Sequence, residues 1–248
     1  MDTTILIVSG LSFGLSFLFA LGGIGSAIAL VPVLHWYGIP LGTAKPTGLF
    51  VNTLGMSGAS YSNIRNKRLD FRMGIPLIIS SSLLAPLGAW STLFFSRNIV
   101  LIVFICFLVF CAVMMIFFKS SRYADQYRED RPVLLPSLIG AAAGFLSGLL
   151  GVGGGGLISP MMILLGFNPK KVAAITAFVV PFSSLIGFIS YSLMGTADWR
   201  LLIPAALAAW GGGYAGTHFM NLKMKPKTVK QLLGCLLLLL AVKMIFML

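Results

Sequence analysis

A run of four glycines interrupts the most apolar part of the chain. Residues 148–160 read GLLGVGGGGLISP, and the stretches on either side, 138–150 and 157–165, are apolar enough to lie in lipid. Each glycine costs a helix interior about 1 kcal/mol relative to alanine, so a helix is expected to break at this run. Broken backbone at membrane depth is tolerated only where protein buries it or where it lines a wet cavity. We therefore expect the other segments to surround this point.

The same string also matches the dinucleotide-binding pattern G-x-G-x-x-G, through Gly151, Gly153 and Gly156. That motif needs a preceding strand in a soluble βαβ unit and an acidic residue about 20 positions later. The following segment, residues 171–181, contains no acidic residue, and its surroundings are apolar. The pattern therefore does not indicate a nucleotide site, and we expect no cofactor.

The composition indicates a membrane protein. The chain is 58% hydrophobic and 10% charged, with a mean hydropathy of +0.97. Runs such as 99–118 and 232–245 reach or approach the ~20 apolar residues that cross a bilayer as a helix. Asp2 precedes the first apolar run and no lysine or arginine does, so a cleaved signal peptide is not expected. The sequence predicts an all-α polytopic membrane protein.

Net charge and cysteine content fit that class. The formal net charge is +12, which in a soluble protein would suggest nucleic acid, but here the basic residues gather in short loops. Cys106, Cys111 and Cys235 lie inside apolar stretches without C-x-x-C spacing, which predicts packing residues and neither a disulfide framework nor a metal site. We expect membrane lipid as a partner, and no nucleic acid.

The chain divides into two halves at a charged stretch. We expect membrane repeat 1 at residues 1–118, a charged cytoplasmic linker at 119–132 and membrane repeat 2 at 133–248. Each half is predicted to contain one long apolar segment followed by three spans. These segments are 4–36, 46–61, 75–95 and 99–118 in the first half, and 134–165, 172–193, 201–220 and 229–246 in the second.

The two halves match one another at a shared offset of 128 residues, which places Gly23 on Gly151 and Gly25 on Gly153. One inserted residue in the next loop would bring Thr47 onto Thr176. A common offset over roughly 70 residues is hard to produce by accident and predicts an internal repeat. The matched first-half positions are Phe17, Leu18, Leu21, Gly23, Gly25, Pro32, Asp70, Arg72, Ile75, Pro76 and Gly88.

The distribution of basic residues distinguishes two topologies, because short cytoplasmic loops are enriched in Lys and Arg. If every segment crosses once, 10 of the 18 basic residues lie inside. If 4–36 and 134–165 each enter, break and return to the same side, all lie inside except Lys45, Arg97, Arg200 and Lys243. Both segments exceed 30 residues, which suffices for two half-depth helices at 1.5 Å per residue.

The second topology is preferred. It predicts two inverted-topology repeats, each a Gly-broken re-entrant helical hairpin plus three transmembrane helices. The protein would lie in the cell (inner) membrane, with basic loops 65–72, 119–131, 170–171 and 223–230 in the cytoplasm.

Inverted repeats with broken helices are typical of secondary transporters, whose substrate sites lie near the midplane where half-helices meet. The N-terminus of a half-helix offers unpaired N–H groups and about half a positive charge, which favours an anion. The alternative is that these glycines only allow close helix packing. The candidate donors are the backbone groups of Gly25, Ser26 and Ala27 in repeat 1, and of Gly154, Gly155 and Gly156 in repeat 2.

Two four-segment halves, each with a glycine-rich stretch, a proline and an A-x-x-T element, resemble the TauE/SafE family of anion permeases. The elements are residues 22–32 with 44–47, and residues 151–160 with 173–176. This resemblance covers essentially the whole chain. It implies transport of sulfur-containing anions such as sulfite, sulfoacetate and related organosulfonates, usually as export. The chain departs from the pattern at Ile24 and Ser26 in the first glycine stretch, and at Lys45 and Pro46 in the first A-x-x-T element.

Polar residues near the proposed centre are candidate substrate ligands. Lys45 stands at the start of a span, where an ionisable group is a functional hypothesis by default. It is equally compatible with an interfacial lysine that reaches the headgroups. Hydroxyl and amide groups could donate to oxyanion oxygens, although hydroxyls in membrane helices more often bond their own helix. These candidates are Thr47, Asn52, Ser57, Thr176, Ser183 and Ser184, with Asn52 and Thr176 preferred.

The means of coupling and the assembly stay open. Histidine side chains can couple proton movement to transport, but the positions of His35 and His218 favour interfacial or structural roles. All six acidic residues lie at termini or in loops, which argues against a carboxylate proton relay. Either H⁺ or Na⁺ is a candidate coupling ion, and a homodimer is a candidate assembly.

Two other functions are weighed against the permease. A passive anion or solute channel fits the same architecture. Residues 55–58 read GMSG, which matches a rhomboid-like intramembrane serine protease with Ser57 as nucleophile and His218 as base. The internal repeat has no role in such a protease, so we expect no enzyme.

Overall fold

The computed structural model describes residues 3–117, 130, 132–194, 199–223 and 226–246. In this part of the chain, all regular secondary structure is α-helical, in ten helices. They are α1 (Thr3–Ala20), α2 (Ala27–Trp36), α3 (Leu41–Arg65), α4 (Phe71–Ser91), α5 (Arg97–Phe117), α6 (Leu134–Leu150), α7 (Gly155–Leu164), α8 (Pro169–Leu193), α9 (Trp199–Lys223) and α10 (Pro226–Ile245). The predicted linker, 119–132, lies almost wholly outside the described residues, so the repeat boundaries stay predictions.

Both long apolar segments break at their glycines, as predicted. Residues 21–26 separate α1 from α2, and residues 151–154 separate α6 from α7. Gly151 and Gly153 have φ of +73° and +75°, left-handed values that glycine adopts without the steric cost of a Cβ atom. Gly151 is the left-handed residue that ends α6. The sequence of each break therefore explains its backbone conformation.

The second five helices follow the first five in order, and two of the pairs have equal lengths. Helices α2 and α7 each have 10 residues, and α3 and α8 each have 25. Left-handed glycines recur at matching positions: Gly23 with Gly151, Gly25 with Gly153, and Gly38 with Gly166. The internal similarity of the sequence thus extends to the backbone.

The prediction that one inserted residue aligns Thr47 with Thr176 is wrong. Helices α3 and α8 begin at Leu41 and Pro169, which keeps the offset that relates α2 to α7. Gly48 lies against Val31, and at the matching positions Thr176 contacts Ser159. Gly48 is therefore the structural counterpart of Thr176.

The two halves are intertwined. Helix α1 packs along α9 and α4 packs along α6, so the first helix of each half lies on the fourth helix of the other half. The equivalent helices α3 and α8 pack on one another, and so do α5 and α10. The main apolar core spans both halves, with buried members that include Phe19, Leu108 and Leu150.

Small residues bring these crossed helices close together. On α6, Gly144 lies against the backbone of Ser81 and Gly148 against the backbone of Ala85. On α9, Gly212 and Gly216 lie in the same way against backbone carbonyl groups of α1. Glycine at such positions lets helix backbones approach, as is common between helices in membranes.

We expect Gly144→Ala to destabilise the protein by about 1–3 kcal/mol, because the added Cβ overlaps the α4 backbone, which yields less readily than a side chain. Thermal unfolding of the detergent-purified protein measures the change. Gly10→Ala on α1 is the matched control, since a Cβ there meets nothing within 4 Å. Equal melting temperatures for Gly144→Ala and the parent protein would contradict the close packing.

Helices α3 and α8 cross at the centre of the molecule and run antiparallel. Asn52 on α3 donates from Nδ2 to Oγ of Ser184, at 3.0 Å. Further along α3, the hydroxyl group of Ser60 donates to the carbonyl group of Ala177, at 2.6 Å. Residue numbers rise along one helix as they fall along the other. Two equivalent helices of the halves therefore point in opposite directions.

Helices α4, α6 and α8 run in the same direction. Asp70, at the start of α4, forms an ion pair with Lys171 at the start of α8, with 3.1 Å between Oδ2 and Nζ. Ala89, near the end of α4, shares an apolar cluster with Tyr191 near the end of α8. The glycine contacts above show that α6 runs parallel to α4, and therefore also to α8. The short helix α7 connects the end of α6 to the start of α8, so it runs in the opposite direction to both.

The outer surface of the helices is apolar. Two helices of the described part, Phe71–Ser91 and Lys170–Leu193, are long and apolar enough to cross a membrane by length and composition. Large side chains point outward at matching positions of α4 and α9: Ile75 and Ile203 are 51% and 52% exposed. Many other large apolar side chains of the described helices are exposed as well, which is typical of a membrane or interaction surface.

Candidate functional site

The two glycine turns meet at the centre of the fold. Gly155, the first residue of α7, lies against the backbone of Ile24 in the first turn. Gly156 lies against the side chain of Ile28 on α2, and these two residues occupy matching positions in the two halves. The N-termini of α2 and α7 therefore lie side by side. Each presents N–H groups without partners in its own helix and about half a positive charge.

Asn52 lies between the two turns. It is fully buried on α3, and its amide group is next to both Gly25 and Gly153. Its Oδ1 accepts from the N–H of Ala27, the first residue of α2, at 3.4 Å, and its Nδ2 donates to Ser184. A Cβ on either glycine would collide with this amide, and both glycines have left-handed φ. Asn52 thus joins α2, α3 and α8 at one point.

The structure brings together part of the predicted site. Gly25, Ala27 and Asn52 form the central cluster, and Ser26 accepts a hydrogen bond from Oγ of Ser16 at 2.9 Å. Gly154 lies against Ala143 of α6 rather than against Asn52. The glycines at the start of α7 therefore permit close packing and also form a helix N-terminus, and their role as anion donors stays a prediction.

Several predicted hydroxyl ligands bond elsewhere. The hydroxyl group of Thr47 donates to the carbonyl group of Thr43, at 2.7 Å, and that of Ser183 donates to the carbonyl group of Val180, at 3.2 Å. Both are hydrogen bonds within their own helix. Thr176 accepts from Ser159 of α7, at 3.2 Å. It links α7 to α8.

Of the two adjacent candidate serines, Ser183 and Ser184, it is Ser184 that contacts Asn52. The side of α8 on which each serine lies distinguishes the two. Ala177 faces α3, as its hydrogen bond from Ser60 shows. Seven residues are about two turns of a helix, so Ser184 shares that face while Ser183 lies about 100° away.

Lys45 is buried, with 6% of its surface exposed. Its ammonium group donates to the carbonyl group of Leu149, near the end of α6, at 3.0 Å. The hydroxyl group of Tyr191 donates to the neighbouring carbonyl group, that of Gly148, at 2.8 Å. The Lys45 ammonium lies 5.9 Å from the centre of the Tyr191 ring. Lys45 therefore binds protein rather than reaching the surface, and Tyr191 is a neighbour that the sequence did not indicate.

A family model described as Sulfite exporter TauE/SafE matches residues 7–244 of this chain. The chain belongs to the TauE/SafE family. The resemblance that its glycine stretches carry is confirmed.

Similar proteins include three with informative names. "Probable membrane transporter protein YunE" of Bacillus subtilis is 27% identical, across 99% of this chain and 98% of its own length. "Probable membrane transporter protein MJ0441" of Methanocaldococcus jannaschii is 28% identical, across 82% of this chain and 79% of its own length. "Sulfite exporter TauE/SafE family protein 2" of Arabidopsis thaliana is 47% identical over 77 residues, 31% of this chain and 16% of its own length. No solved structure matches the chain.

Family membership and fold together make this TauE/SafE chain a helical membrane protein of a transporter family. The protease alternative gains no support from the geometry. The hydroxyl group of Ser57 donates to the carbonyl group of Thr53 in its own helix, at 2.7 Å, and the ring of His218 stacks on Tyr214. Within the described residues, no hydrogen bond is recorded between Ser57 and His218.

Proposed function

We propose that this protein is a secondary transporter, a permease, for a small sulfur-containing anion such as sulfite, sulfoacetate or another organosulfonate. The observation that carries the proposal is the meeting of two helix N-termini beside Asn52 at the junction of the halves. Two half-helix dipoles directed to one place favour negative charge. The substrate would bind at the backbone of Gly25 to Ala27 and at the start of α7, with Asn52 and Ser184 as side-chain donors.

The choice of anion comes from the family. Its model is described as a sulfite exporter, and a plant relative carries the same words in its name. Sulfite and sulfonates present several oxygens to hydrogen-bond donors. Backbone N–H groups, the Asn52 amide and the Ser184 hydroxyl all donate, and among the described side chains at this point none is acidic. The chemistry of the cluster suits an oxyanion.

We also propose that the halves are inverted repeats in the cell membrane. The antiparallel course of α3 and α8, which occupy equivalent positions, supports this arrangement. So does the return of the chain through α7. Rocking of the halves about the Asn52 cluster would expose the site first to one side and then to the other. The loops rich in Lys and Arg would lie in the cytoplasm.

The first test is thermal stabilisation of the purified protein by a panel of anions and neutral analogues. A ligand at 100 times its Kd adds about 2.7 kcal/mol to stability, which a melting curve resolves. We expect sulfite or an organosulfonate to raise the melting temperature, and chloride and neutral sulfones to leave it unchanged. Stabilisation only by cations or neutral metabolites would contradict the proposal.

Reconstituted vesicles test the transport mode and the coupling ion. We expect accumulation of labelled substrate against its gradient when a proton or sodium gradient is imposed, and loss of accumulation when the matching ionophore collapses that gradient. Equilibration without accumulation under either gradient would favour the passive channel instead. Chemical crosslinking before detergent extraction would test the homodimer.

A further inference from the structure

The two glycine turns are stabilised in different ways. At the end of α1, the turn closes on itself through backbone hydrogen bonds. The N–H groups of Gly22 and Ile24 donate to the carbonyl group of Phe19, and the N–H group of Gly23 donates to that of Ala20, each at 3.2 Å. The last carbonyl groups of α1 therefore have partners within their own turn.

At the end of α6, the partners come from side chains on other helices. The N–H group of Gly151 donates to the carbonyl group of Ser147, at 2.9 Å. The next two carbonyl groups accept from the hydroxyl group of Tyr191 and the ammonium group of Lys45. The Tyr191 hydroxyl is also 3.5 Å from the second of these carbonyl oxygens. One ammonium group and one hydroxyl group thus donate to the last carbonyl groups of α6, in place of backbone N–H groups of the turn.

We infer that Lys45 and Tyr191 together form the C-terminal cap of α6 and act as positioning residues for the second glycine turn. The end of a helix carries about half a negative charge, so an ammonium group is favoured there. That explains how Lys45 is buried with a carbonyl group as its partner. The inference rests on the proposed function, because the turn that this cap fixes places Gly153 against Asn52 in the proposed site.

The cap also ties the halves together. Lys45 belongs to α3 in the first half, whereas Leu149 and Tyr191 belong to the second. The Cβ and Cγ atoms of Lys45 pack directly on Gly151, where a Cβ would have no room. The stem of the lysine therefore holds the left-handed residue of the turn, and its ammonium group holds the helix that precedes it.

The matching positions in the first half support this assignment. Ala173 occupies the place of Lys45 and lies against Gly23, just as Lys45 lies against Gly151. Asn63 occupies the place of Tyr191. An alanine supplies no ammonium group. The carbonyl group of Ala20, the counterpart of Gly148, accepts from the N–H group of Gly23 in its own turn, whereas that of Gly148 accepts from Tyr191.

Hydrogen exchange measured by mass spectrometry tests the cap without any substrate. Lys45→Met keeps most of the stem and removes the charge, and Tyr191→Phe removes only the hydroxyl group. We expect amide exchange in residues 148–156 to accelerate roughly fivefold to tenfold in Tyr191→Phe, as the loss of one hydrogen bond predicts, and more in Lys45→Met. Exchange in residues 20–27 should stay unchanged. Unchanged exchange in 148–156, or equal acceleration in both turns, would overturn the inference.

Matched controls are available for both changes. Lys171→Met removes a lysine from the first turn of α8, where it pairs with Asp70 and is 37% exposed. Tyr61→Phe removes a tyrosine hydroxyl from α3, where the side chain is 52% exposed. Both controls should leave exchange in residues 148–156 as in the parent protein. Acceleration there by either control would overturn the assignment of the effect to the cap.

Anion affinity separates a positioning role from direct contact with substrate. If Lys45 positions the turn, Lys45→Met weakens binding of methanesulfonate and of the dianion sulfoacetate by the same factor, and Tyr191→Phe weakens both in the same direction. A loss several times larger for the dianion in Lys45→Met, with Tyr191→Phe unaffected, would make Lys45 a substrate ligand and overturn the inference. Failure of the parent protein to bind any anion would refute the proposed function instead, while the exchange test would still stand.

Discussion

Asn52→Leu is expected to weaken anion binding about 10- to 100-fold, because it removes a donor and an acceptor at the junction of the two helix N-termini. Leucine has nearly the same size as asparagine, so the change affects hydrogen bonding more than volume. It leaves the N–H of Ala27 and the hydroxyl of Ser184 without their recorded partner. Calorimetric titration with the anion that stabilises the parent protein measures the loss.

Asn66→Leu is the matched control for this change. Asn66 ends the same helix, is exposed, and donates to the carbonyl group of Ser62 at 2.6 Å. We expect its affinity for the anion to equal that of the parent protein. If Asn52→Leu folds and binds the anion as tightly as Asn66→Leu does, Asn52 is no part of the substrate site.

Gly153→Ala is expected to lower both the stability of the protein and its affinity for the anion. At φ of +75° an L-residue loses about 1–2 kcal/mol, and the new Cβ would also meet Nδ2 of Asn52. We expect a total destabilisation of about 2–4 kcal/mol and an anion affinity at least tenfold weaker, because the amide must move from its place. Melting curves with and without the anion report both effects.

Gly14→Ala provides the comparison. Gly14 lies inside α1, and a Cβ there meets nothing within 4 Å. Alanine favours a helix interior over glycine, so this variant should be as stable as the parent protein or slightly more stable. A Gly153→Ala variant that behaves like Gly14→Ala would show that the second turn tolerates other conformations and that its contact with Asn52 has no functional role.

The glycine breaks could be predicted because their cause is local. Glycine is unfavourable in a helix and favourable at left-handed φ, and both properties act within a few residues of Gly151 and Gly153. That Asn52 is buried with hydrogen-bond partners could also be predicted, since a carboxamide in an apolar span needs partners wherever it lies, while its role as a substrate ligand stays a prediction. These predictions needed no knowledge of which helices meet.

Other features could not be predicted, because they depend on packing between distant parts of the chain. Lys45 and its acceptor Leu149 are 104 residues apart, and the sequence gives polarity but not partners. Ser183 and Ser184 differ only in helical phase, which contacts with α3 determine. The alignment of Thr47 with Thr176 pairs two identical residues but shifts the offset between the halves by one residue. The helix bounds show that the offset between matching helices stays constant here.

The crossed pairing of the halves has a consequence for biogenesis. Helix α1 is synthesised first, but its packing partner α9 follows roughly 180 residues later, which is on the order of 10–40 s at the usual rates of translation. During that interval the face of α1 that contains Phe13 and Phe17 lacks the helix that packs on it in the finished protein. We therefore expect neither half to fold by itself. A chain cut within the linker should assemble only when both pieces are made in the same membrane.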